Sequence, residues 1–284
     1  MLPFETLTRE ALPRLASYFA ENPYRICDLT VGGVFLWRDV YATEYAVENG
    51  HLFTRLYDGE GRVHYNLPLG PDVPSALALL LSELPRPARF CTVPAEALSL
   101  FGEGVAVTPH RELFDYLYEK ESFVSLAGKR YAGQRNHVNR FTRCFGAGVI
   151  EPITPNNVAE ARAFFATLPP PEGESAKTEA AVVAGLLDAP DFFGMTGGLL
   201  RADGRVVGFS FGEVVGDTLY VHVEKADRAC PGAYQTLASR FAAFAGGDAR
   251  YVNREDDAGD EGLRTAKLAL HPVALIEKNT VALL

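Results

Sequence analysis

The pattern of apolar and polar residues in the first half of the chain predicts a meander of strands followed by a helix and one more strand. Alternation over a few residues is typical of a strand with one buried face. The predicted strands of the meander are Val34 to Trp37, Thr43 to Glu48, His51 to Tyr57 and Arg62 to Leu67, with a turn at Asp58 to Gly61. A helix is predicted from Ser75 to Leu84 and a strand from Arg89 to Val93.

The second half of the chain repeats this order. The predicted strands are Gly197 to Arg201, Arg205 to Val214 and Thr218 to Lys225. A helix from Ala233 to Ala245 ends at Gly246-Gly247, and a strand from Arg250 to Asn253 follows it. The repetition predicts two α+β domains of one architecture.

The segment between the two repeats has a mostly helical pattern from Glu112 to Phe145. A short break at Gly146-Ala-Gly148 suits a domain boundary, so we expect one domain over 1–145 and another over 146–284. Further helices are predicted from Pro155 to Leu168 and from Ser175 to Leu187.

Composition narrows the class of protein. The chain has 284 residues, is 48% hydrophobic and carries a net charge of −9, which excludes a disordered chain and disfavours a general nucleic-acid binder. No apolar run approaches the roughly 20 residues of a membrane span, and the N-terminus lacks the order of a secretion signal. We therefore expect a soluble, cytoplasmic protein without stable membrane insertion. The four cysteines and six histidines show no metal-ligand spacing, so no metal site is predicted.

A positively charged segment stands out in this acidic chain. No acid occurs from Ser122 to Ile150, and five cations fall there: Lys129, Arg130, Arg135, Arg140 and Arg143. In a helix beginning at Gln134, Val138, Phe141 and Phe145 would form the buried stripe. Asn136, Arg140 and Arg143 would then lie on the opposite face. Grouped guanidinium ions suit phosphate oxygens, whereas the alternative is a solvated helix face paired with acids elsewhere.

A second candidate region is the strand and loop before the Ala233 helix. Alternation places Tyr220, His222 and Glu224 on one face of the strand. The following helix start, around Gly232 to Tyr234, offers backbone N–H groups to an anion. The alternative is a strand end that simply emerges into solvent. Ser210, in Gly208-Phe-Ser-Phe-Gly212, lies within an apolar strand and is expected to be structural despite its match to a nucleophile elbow.

A third region runs from Tyr251 to Asp257 and from Gly259 to Lys267. Its acids between Glu255 and Glu261 are typical of a loop with helix N-caps, and Asp260 is the best cap candidate. Together with the second region, these residues would line one cleft between two neighbouring strand ends.

The three regions together resemble soluble proteins related to the C-terminal domain of bacterial phosphatidylglycerol lysyltransferases. The resemblance rests on Gly128-Lys-Arg-Tyr with Arg135 to Phe141, on His222 to Ala226 with Gly232-Ala-Tyr234, and on Asn253 to Lys267. It implies two tandem acetyltransferase-like (GNAT) domains, each a mixed, mostly antiparallel sheet flanked by helices. Family members with known activity move an aminoacyl group from aminoacyl-tRNA onto a lipid headgroup. Related GNAT proteins use acyl-coenzyme A or, in the Fem-type peptidyltransferases, aminoacyl-tRNA.

The resemblance predicts an acyl- or aminoacyltransferase with its active cleft in the second domain and an amine or hydroxyl acceptor. Glu224 is the candidate base and His222 the second choice, while Asn253 and Lys267 would position the acceptor or the developing charge. The donor, aminoacyl-tRNA or acyl-coenzyme A, would be held through its phosphates by the basic segment and the helix start. The residues expected to bind it are Lys129, Arg135, Asn136, Arg140, Arg143, Arg228, Gly232, Ala233 and Tyr234. The alternatives are an inactive GNAT-fold protein that binds a phosphorylated ligand and a purely structural protein.

Overall fold

The computed structural model describes residues 2–284 and shows two compact α+β units. The α-helices are α1 (Leu12–Ala20), α2 (Val31–Trp37), α3 (Val73–Glu83), α4 (Lys120–Ser125), α5 (Ala132–Phe145), α6 (Val158–Thr167), α7 (Glu174–Asp188), α8 (Ala233–Ala245) and α9 (Glu261–Leu268). The strands are β1 (Glu5–Thr6), β2 (Glu44–Glu48), β3 (His51–Tyr57), β4 (Val63–Tyr65), β5 (Ala88–Pro94), β6 (Val105–Pro109), β7 (Asp115–Glu119), β8 (Ile150–Pro152), β9 (Thr196–Ala202), β10 (Arg205–Val215), β11 (Thr218–Ala226), β12 (Tyr251–Asn253), β13 (Ala274–Ile276) and β14 (Lys278–Leu283).

Unit 1 comprises the chain up to Tyr116, together with Glu255–Glu261 and Leu275–Leu284. Its seven-stranded sheet has the order β1-β2-β3-β4-β5-β14-β6. Neighbouring strands run antiparallel except for β4 and β5, which are parallel and joined through α3. Phe90 lies at the centre of the core, with its ring 4.9 Å from that of Phe101 and 5.8 Å from that of Tyr65.

Unit 2 comprises Leu117–Arg254 and Gly262–Ala274. Its seven-stranded sheet has the order β13-β7-β12-β11-β10-β9-β8. The meander β8 to β11 is antiparallel, β11 and β12 are parallel and joined through α8, and β12 is antiparallel to β7. On this sheet, Leu237 of α8 and Phe141 of α5 pack against Leu200 and Val207.

The two sheets share one order of strand pairing. In each, an antiparallel meander meets a parallel strand, which is followed by an antiparallel strand from a distant part of the chain: β14 in unit 1 and β7 in unit 2. The prediction of mostly antiparallel sheets flanked by helices is confirmed. The division into units differs from the boundary expected near residue 146, because β7, α4 and α5 belong mainly to unit 2 and β14 belongs to unit 1.

Two predicted elements have a different structure. Val34 to Trp37 is the end of helix α2 rather than a strand. The side chain of Thr30 caps this helix by accepting a hydrogen bond from the N–H of Gly33 at 3.2 Å. Gly33 is required there because a Cβ would clash with the Cys27 carbonyl. The mostly helical pattern of Glu112 to Phe145 also includes a strand, β7, whose side chains are largely buried.

The other predicted strands and helices lie within a few residues of the observed ones. Ser210 lies within β10 and its hydroxyl donates to the Val223 carbonyl at 2.7 Å, as expected for a structural serine. Among residues 2–284, the helices are too short or too polar to cross a membrane.

Candidate functional site

The parallel strands of unit 2 separate at one end, where the predicted catalytic residues lie. The pairing of β11 with β12 runs from Thr218 opposite Tyr251 to Tyr220 opposite Asn253. Strand β11 continues from that point to Ala226, past the end of β12. Side chains from the extended part of β11 and from the residues after β12 therefore meet beyond the last backbone pair.

Glu224 meets Arg254 at this position. The Nε and Nη2 atoms of Arg254 both donate to Oε2 of Glu224, the Nε bond being 2.7 Å long. The Arg254 side chain is 13% exposed and the Glu224 side chain is 12% exposed. The other carboxylate oxygen, Oε1, is buried and accepts no hydrogen bond from the described residues. Because a buried acceptor without a donor costs about 1–3 kcal/mol, this atom is the distinctive feature of the site.

Arg254 is held by aromatic and polar neighbours of the same unit. Its guanidinium lies 5.6 Å from the ring centre of Phe123 in α4. Burial lowers the pKa of Arg254, but the Glu224 carboxylate and a hydrogen bond to Tyr118 more than offset burial and raise the pKa above its usual value. Arg254 therefore stays charged.

Lys267 closes a loop of contacts around Arg254. Its ammonium donates to the Arg254 carbonyl at 2.6 Å, and its own carbonyl accepts from the Tyr118 hydroxyl at 2.9 Å. Lys267 is buried near the C-terminus of α9. The structure thus places this predicted residue beside Arg254, with its ammonium hydrogen-bonded to protein backbone.

His222 and Asn253 are also brought to this end of the sheet. Nε2 of His222 lies 3.0 Å from Oε1 of Glu213, and the His222 side chain is fully buried. The imidazole stacks on the ring of Tyr220. Asn253 is fully buried at the end of β12. Neither the imidazole nor the Asn253 side chain is exposed to solvent.

The start of α8, predicted to bind phosphate, packs against α5. Gly232 adopts a left-handed conformation with φ of 82°, and a Cβ there would clash with the His137 carbonyl oxygen of α5. Ala233 is buried in the core cluster, and Tyr234 is partly buried against it. Arg228, in the preceding loop, is exposed. Packing against α5 therefore accounts for Gly232 and Ala233 without a ligand.

The basic segment falls into two groups. The guanidinium of Arg135 donates to the carbonyls of Leu126 and Gly128, the second bond being 2.5 Å long, and so binds the end of α4. Asn136 is exposed, and so are the other cations of the segment: Lys129, Arg130, Arg140 and Arg143. Phe141 of the predicted stripe is fully buried, whereas Val138 and Phe145 are partly buried.

Unit 1 holds a buried charged cluster that the sequence patterns did not indicate. The Lys278 ammonium lies 2.5 Å from Oδ2 of Asp28, 2.7 Å from Oδ1 of Asp115 and 3.2 Å from Sγ of Cys27. Cys27, Asp28 and Asp115 each offer a ligand atom within 4.8 Å of the others, a spacing that would also suit a metal ion. The lysine itself provides the cation that balances the carboxylates, since its ammonium contacts all three side chains.

Arg254 and Tyr118 are the site residues that sequence reasoning missed. Arg254 lies inside the Asn253-to-Lys267 motif, between a predicted positioning residue and the acidic loop. Its contact with Glu224 follows from the parallel pairing of β11 and β12, which brings residue 254 to the extended part of β11. Tyr118 gives no local signal, because the pattern around its strand is mostly helical.

Comparison with known proteins identifies the family. The family model for the C-terminal region of phosphatidylglycerol lysyltransferase matches residues 20–282. A comparison with curated proteins found no match.

Several solved structures have the same fold. A conserved protein of unknown function from Bacteroides thetaiotaomicron VPI-5482 is 30% identical over 100% of both chains, with a TM-score of 0.87. The C-terminal domain of a putative lysylphosphatidylglycerol synthetase from Agrobacterium fabrum is 14% identical, with 97% of this chain and 92% of that one covered and a TM-score of 0.73. L-PGS from Bacillus licheniformis is 16% identical, with 98% and 92% covered and a TM-score of 0.68. On the match over residues 20–282, the chain belongs to the phosphatidylglycerol lysyltransferase C-terminal family.

Proposed function

We propose that this protein is an acyl- or aminoacyltransferase built from two GNAT-like units, with its active cleft in unit 2. The donor is a phosphate-bearing molecule, aminoacyl-tRNA or acyl-coenzyme A, and the acceptor is an amine or a hydroxyl. Support comes from the family, whose name describes aminoacyl transfer, and from the shared order of strand pairing in the two sheets.

The observation that carries the proposal is the buried Oε1 atom of Glu224. It lies where β11 and β12 separate, and it accepts no hydrogen bond from the described residues. A substrate X–H group would supply the missing donor. Glu224 is therefore better suited to act as the base than His222, whose Nε2 already contacts Glu213.

In the proposed reaction, the acceptor X–H attacks the acyl carbonyl carbon of the donor. The X–C bond forms, the proton passes from X to Oε1 of Glu224, and the bond from the carbonyl carbon to the donor oxygen or sulfur breaks. The same proton then returns to the leaving oxygen or sulfur, which restores the carboxylate.

The exposed cations of α5 and of the turn before it are the proposed contacts for donor phosphates. Lys129, Arg140 and Arg143 are exposed, and none of them is joined to an acid by an ion pair within the described range 2–284. Arg228 and Asn136 are exposed as well. Arg135 is left out of this role because its guanidinium binds backbone carbonyls.

A transfer assay tests the proposal. The purified chain would be incubated with labelled aminoacyl-tRNA or acyl-coenzyme A and a panel of amine and hydroxyl acceptors. We expect Glu224→Gln to lower transfer by about 10²-fold or more, in the range of a lost general base. Glu179→Gln is the matched control, since it removes a partly exposed acid whose partner is Lys225.

Equal transfer by the wild-type and Glu224→Gln proteins would contradict the assignment of the base. The same exposed cations would also serve an inactive GNAT-fold protein that binds a phosphorylated ligand. That alternative predicts donor binding with no transfer to any acceptor.

A further inference from the structure

The way Arg254 contacts Glu224 differs from an ordinary structural ion pair. A guanidinium and a carboxylate usually pair through two parallel hydrogen bonds, one to each oxygen, which satisfies both acceptors. Here Nε and Nη2 of Arg254 both donate to Oε2. Oε1 stays buried without a donor from the described residues. The pair therefore fixes the carboxylate and leaves one oxygen without a hydrogen-bond donor.

Arg254 is itself fixed from several directions. The Phe123 ring lies 5.6 Å from its guanidinium carbon, and the Tyr118 hydroxyl hydrogen-bonds to the guanidinium. The Tyr118 hydroxyl also donates to the Lys267 carbonyl, and the Lys267 ammonium donates to the Arg254 carbonyl. Both the backbone and the side chain of Arg254 thus belong to one closed set of contacts, the Arg254–Tyr118–Lys267 frame.

We propose that Arg254 is the positioning residue of the site, and that the frame orients Glu224 so that Oε1 alone faces the substrate. This inference rests on the proposed function, in which Oε1 takes the acceptor proton. It also changes the role of Lys267, which acts on the catalytic carboxylate through Arg254. A base held in one orientation is ready for the reacting proton, and a misplacement of about 1 Å can cost 10²-fold in rate.

Steady-state kinetics on Arg254 variants test the role. We expect Arg254→Ala to lower kcat by about 10–100-fold with little change in the KM of the donor. Millimolar guanidinium should restore part of the lost kcat, because it can occupy the vacated site. Arg254→Lys keeps the positive charge but lacks the paired N–H donors of the guanidinium. Its kcat should therefore fall between those of the wild-type and Arg254→Ala proteins. Arg250→Ala is the matched control, since Arg250 is exposed only four residues away.

A spectroscopic measurement tests the same geometry without turnover. The side-chain Nε–Hε resonance of Arg254 reports its hydrogen bond to Oε2. We expect Glu224→Gln and Tyr118→Phe to shift that resonance, and Arg250→Ala to leave it in place. Tyr118→Phe keeps the ring, so it also carries the kinetic test should Arg254→Ala not fold.

These arms separate failure of this inference from failure of the proposed function. Absence of turnover with every donor would contradict the proposed function, while the resonance shifts would still support the positioning geometry. An Arg254→Ala protein with normal kcat and only a lower unfolding temperature would overturn the positioning role. An Nε–Hε resonance of Arg254 that does not shift in the Glu224→Gln protein would also overturn the positioning role.

Discussion

At the scale of single residues, Asp256 is an acid whose surroundings favour the protonated form. Burial raises its pKa to about 7, and the nearby carboxylates of Asp115, Glu255 and Asp28 act in the same direction. Lys278 acts in the opposite direction without reversing the shift. The folded unit 1 therefore holds a proton at Asp256 that the unfolded chain releases near pH 4.

This shift predicts that Asp256 lowers stability as pH rises. Between about pH 4 and pH 7 the folded state binds the proton more tightly than the unfolded state, so the free energy of unfolding falls across that range. Asp256→Asn removes the titrating group and keeps an oxygen for the Ala258 N–H, which now donates to Oδ1 at 2.9 Å.

Urea denaturation at pH 4 and pH 8 measures the effect. At pH 8 the Asp256→Asn protein should be more stable than wild type, on the order of 2–4 kcal/mol. At pH 4 the two should be nearly equal. Asp248→Asn, at an exposed position, should behave like wild type at both values. A constant difference at the two pH values would show that titration of Asp256 is not its cause.

Residue identity alone predicts part of the site. Alternation along the strand is enough to select Glu224, because a charged residue that follows an apolar run is conspicuous. The unpartnered state of Oε1 cannot be predicted in this way, since it depends on how the Arg254 guanidinium is oriented. The same limit applies to Asp256, whose pKa depends on Asp115 and other groups that are distant along the chain.

At the scale of elements, strand β14 is tied to unit 1 by Lys278. This residue begins β14, which lies between β5 and β6, and its ammonium contacts Asp28, Asp115 and Cys27. Burial and the Asp115 carboxylate also keep the pKa of the Cys27 thiol well above its usual value, so the thiol stays protonated. In this cluster the ammonium of Lys278 balances the carboxylates of Asp28 and Asp115.

Removal of Lys278 should therefore destabilise unit 1 strongly. Lys278→Met leaves Asp115 buried without its cation, and we expect a loss of about 3–5 kcal/mol in the free energy of unfolding. The double variant Lys278→Met with Asp115→Asn should recover part of this loss, because the fully buried Asp115 charge is removed and the remaining carboxylate, Asp28, is 31% exposed to solvent. Chemical denaturation of the single and double variants measures both. Additive losses in the double variant would show that the two residues do not interact.

The exposed arginines of helix α5 lead to a prediction about the salt dependence of RNA binding. If Arg140 and Arg143 contact phosphates of a single-stranded RNA, each change to Ala should lower the log–log salt slope of binding by roughly 0.7. Folding should be little affected, because both side chains are exposed. Arg135→Ala should instead lower stability, since it removes bonds to the Leu126 and Gly128 carbonyls.

Binding of an RNA oligonucleotide at several salt concentrations checks this prediction. Arg205→Ala, at an exposed hairpin of the same unit, is the control for simple loss of charge. If Arg205→Ala and Arg140→Ala lowered the salt slope equally, RNA binding would depend on the net charge of the protein and not on helix α5.

Local pattern predicts most elements, because strands β9 to β11 alternate clearly and α8 ends in two glycines. It fails for Val34 to Trp37, where a four-residue apolar run fits a buried helix as well as a strand. The deciding features are the Thr30 cap and the close contact of Gly33 with the Cys27 carbonyl. The β7 strand escapes prediction because its neighbours in sequence are helical.

At the scale of the whole molecule, the two sheets share one order of strand pairing. The order of meander, helix and strand in each half is visible in the sequence. The membership of β14 in the first sheet is not, since Val281 pairs with Phe90 and Val107 across most of the chain. Such long-range pairing leaves no local signal, and it explains why the units differ from a simple division near residue 146.

The central claim, that acyl transfer takes place at Glu224 where β11 runs past the end of β12, has one most direct test. It is a crystal structure of the chain with a non-hydrolysable 3′-aminoacylamido adenosine, which mimics the reactive end of an aminoacyl-tRNA. We predict that the amide carbonyl carbon of the analogue lies beyond the Tyr220–Asn253 pair. The face of that carbonyl open to attack by the acceptor should be directed toward Oε1 of Glu224. An analogue bound elsewhere, with Oε1 far from its carbonyl, would contradict the claim.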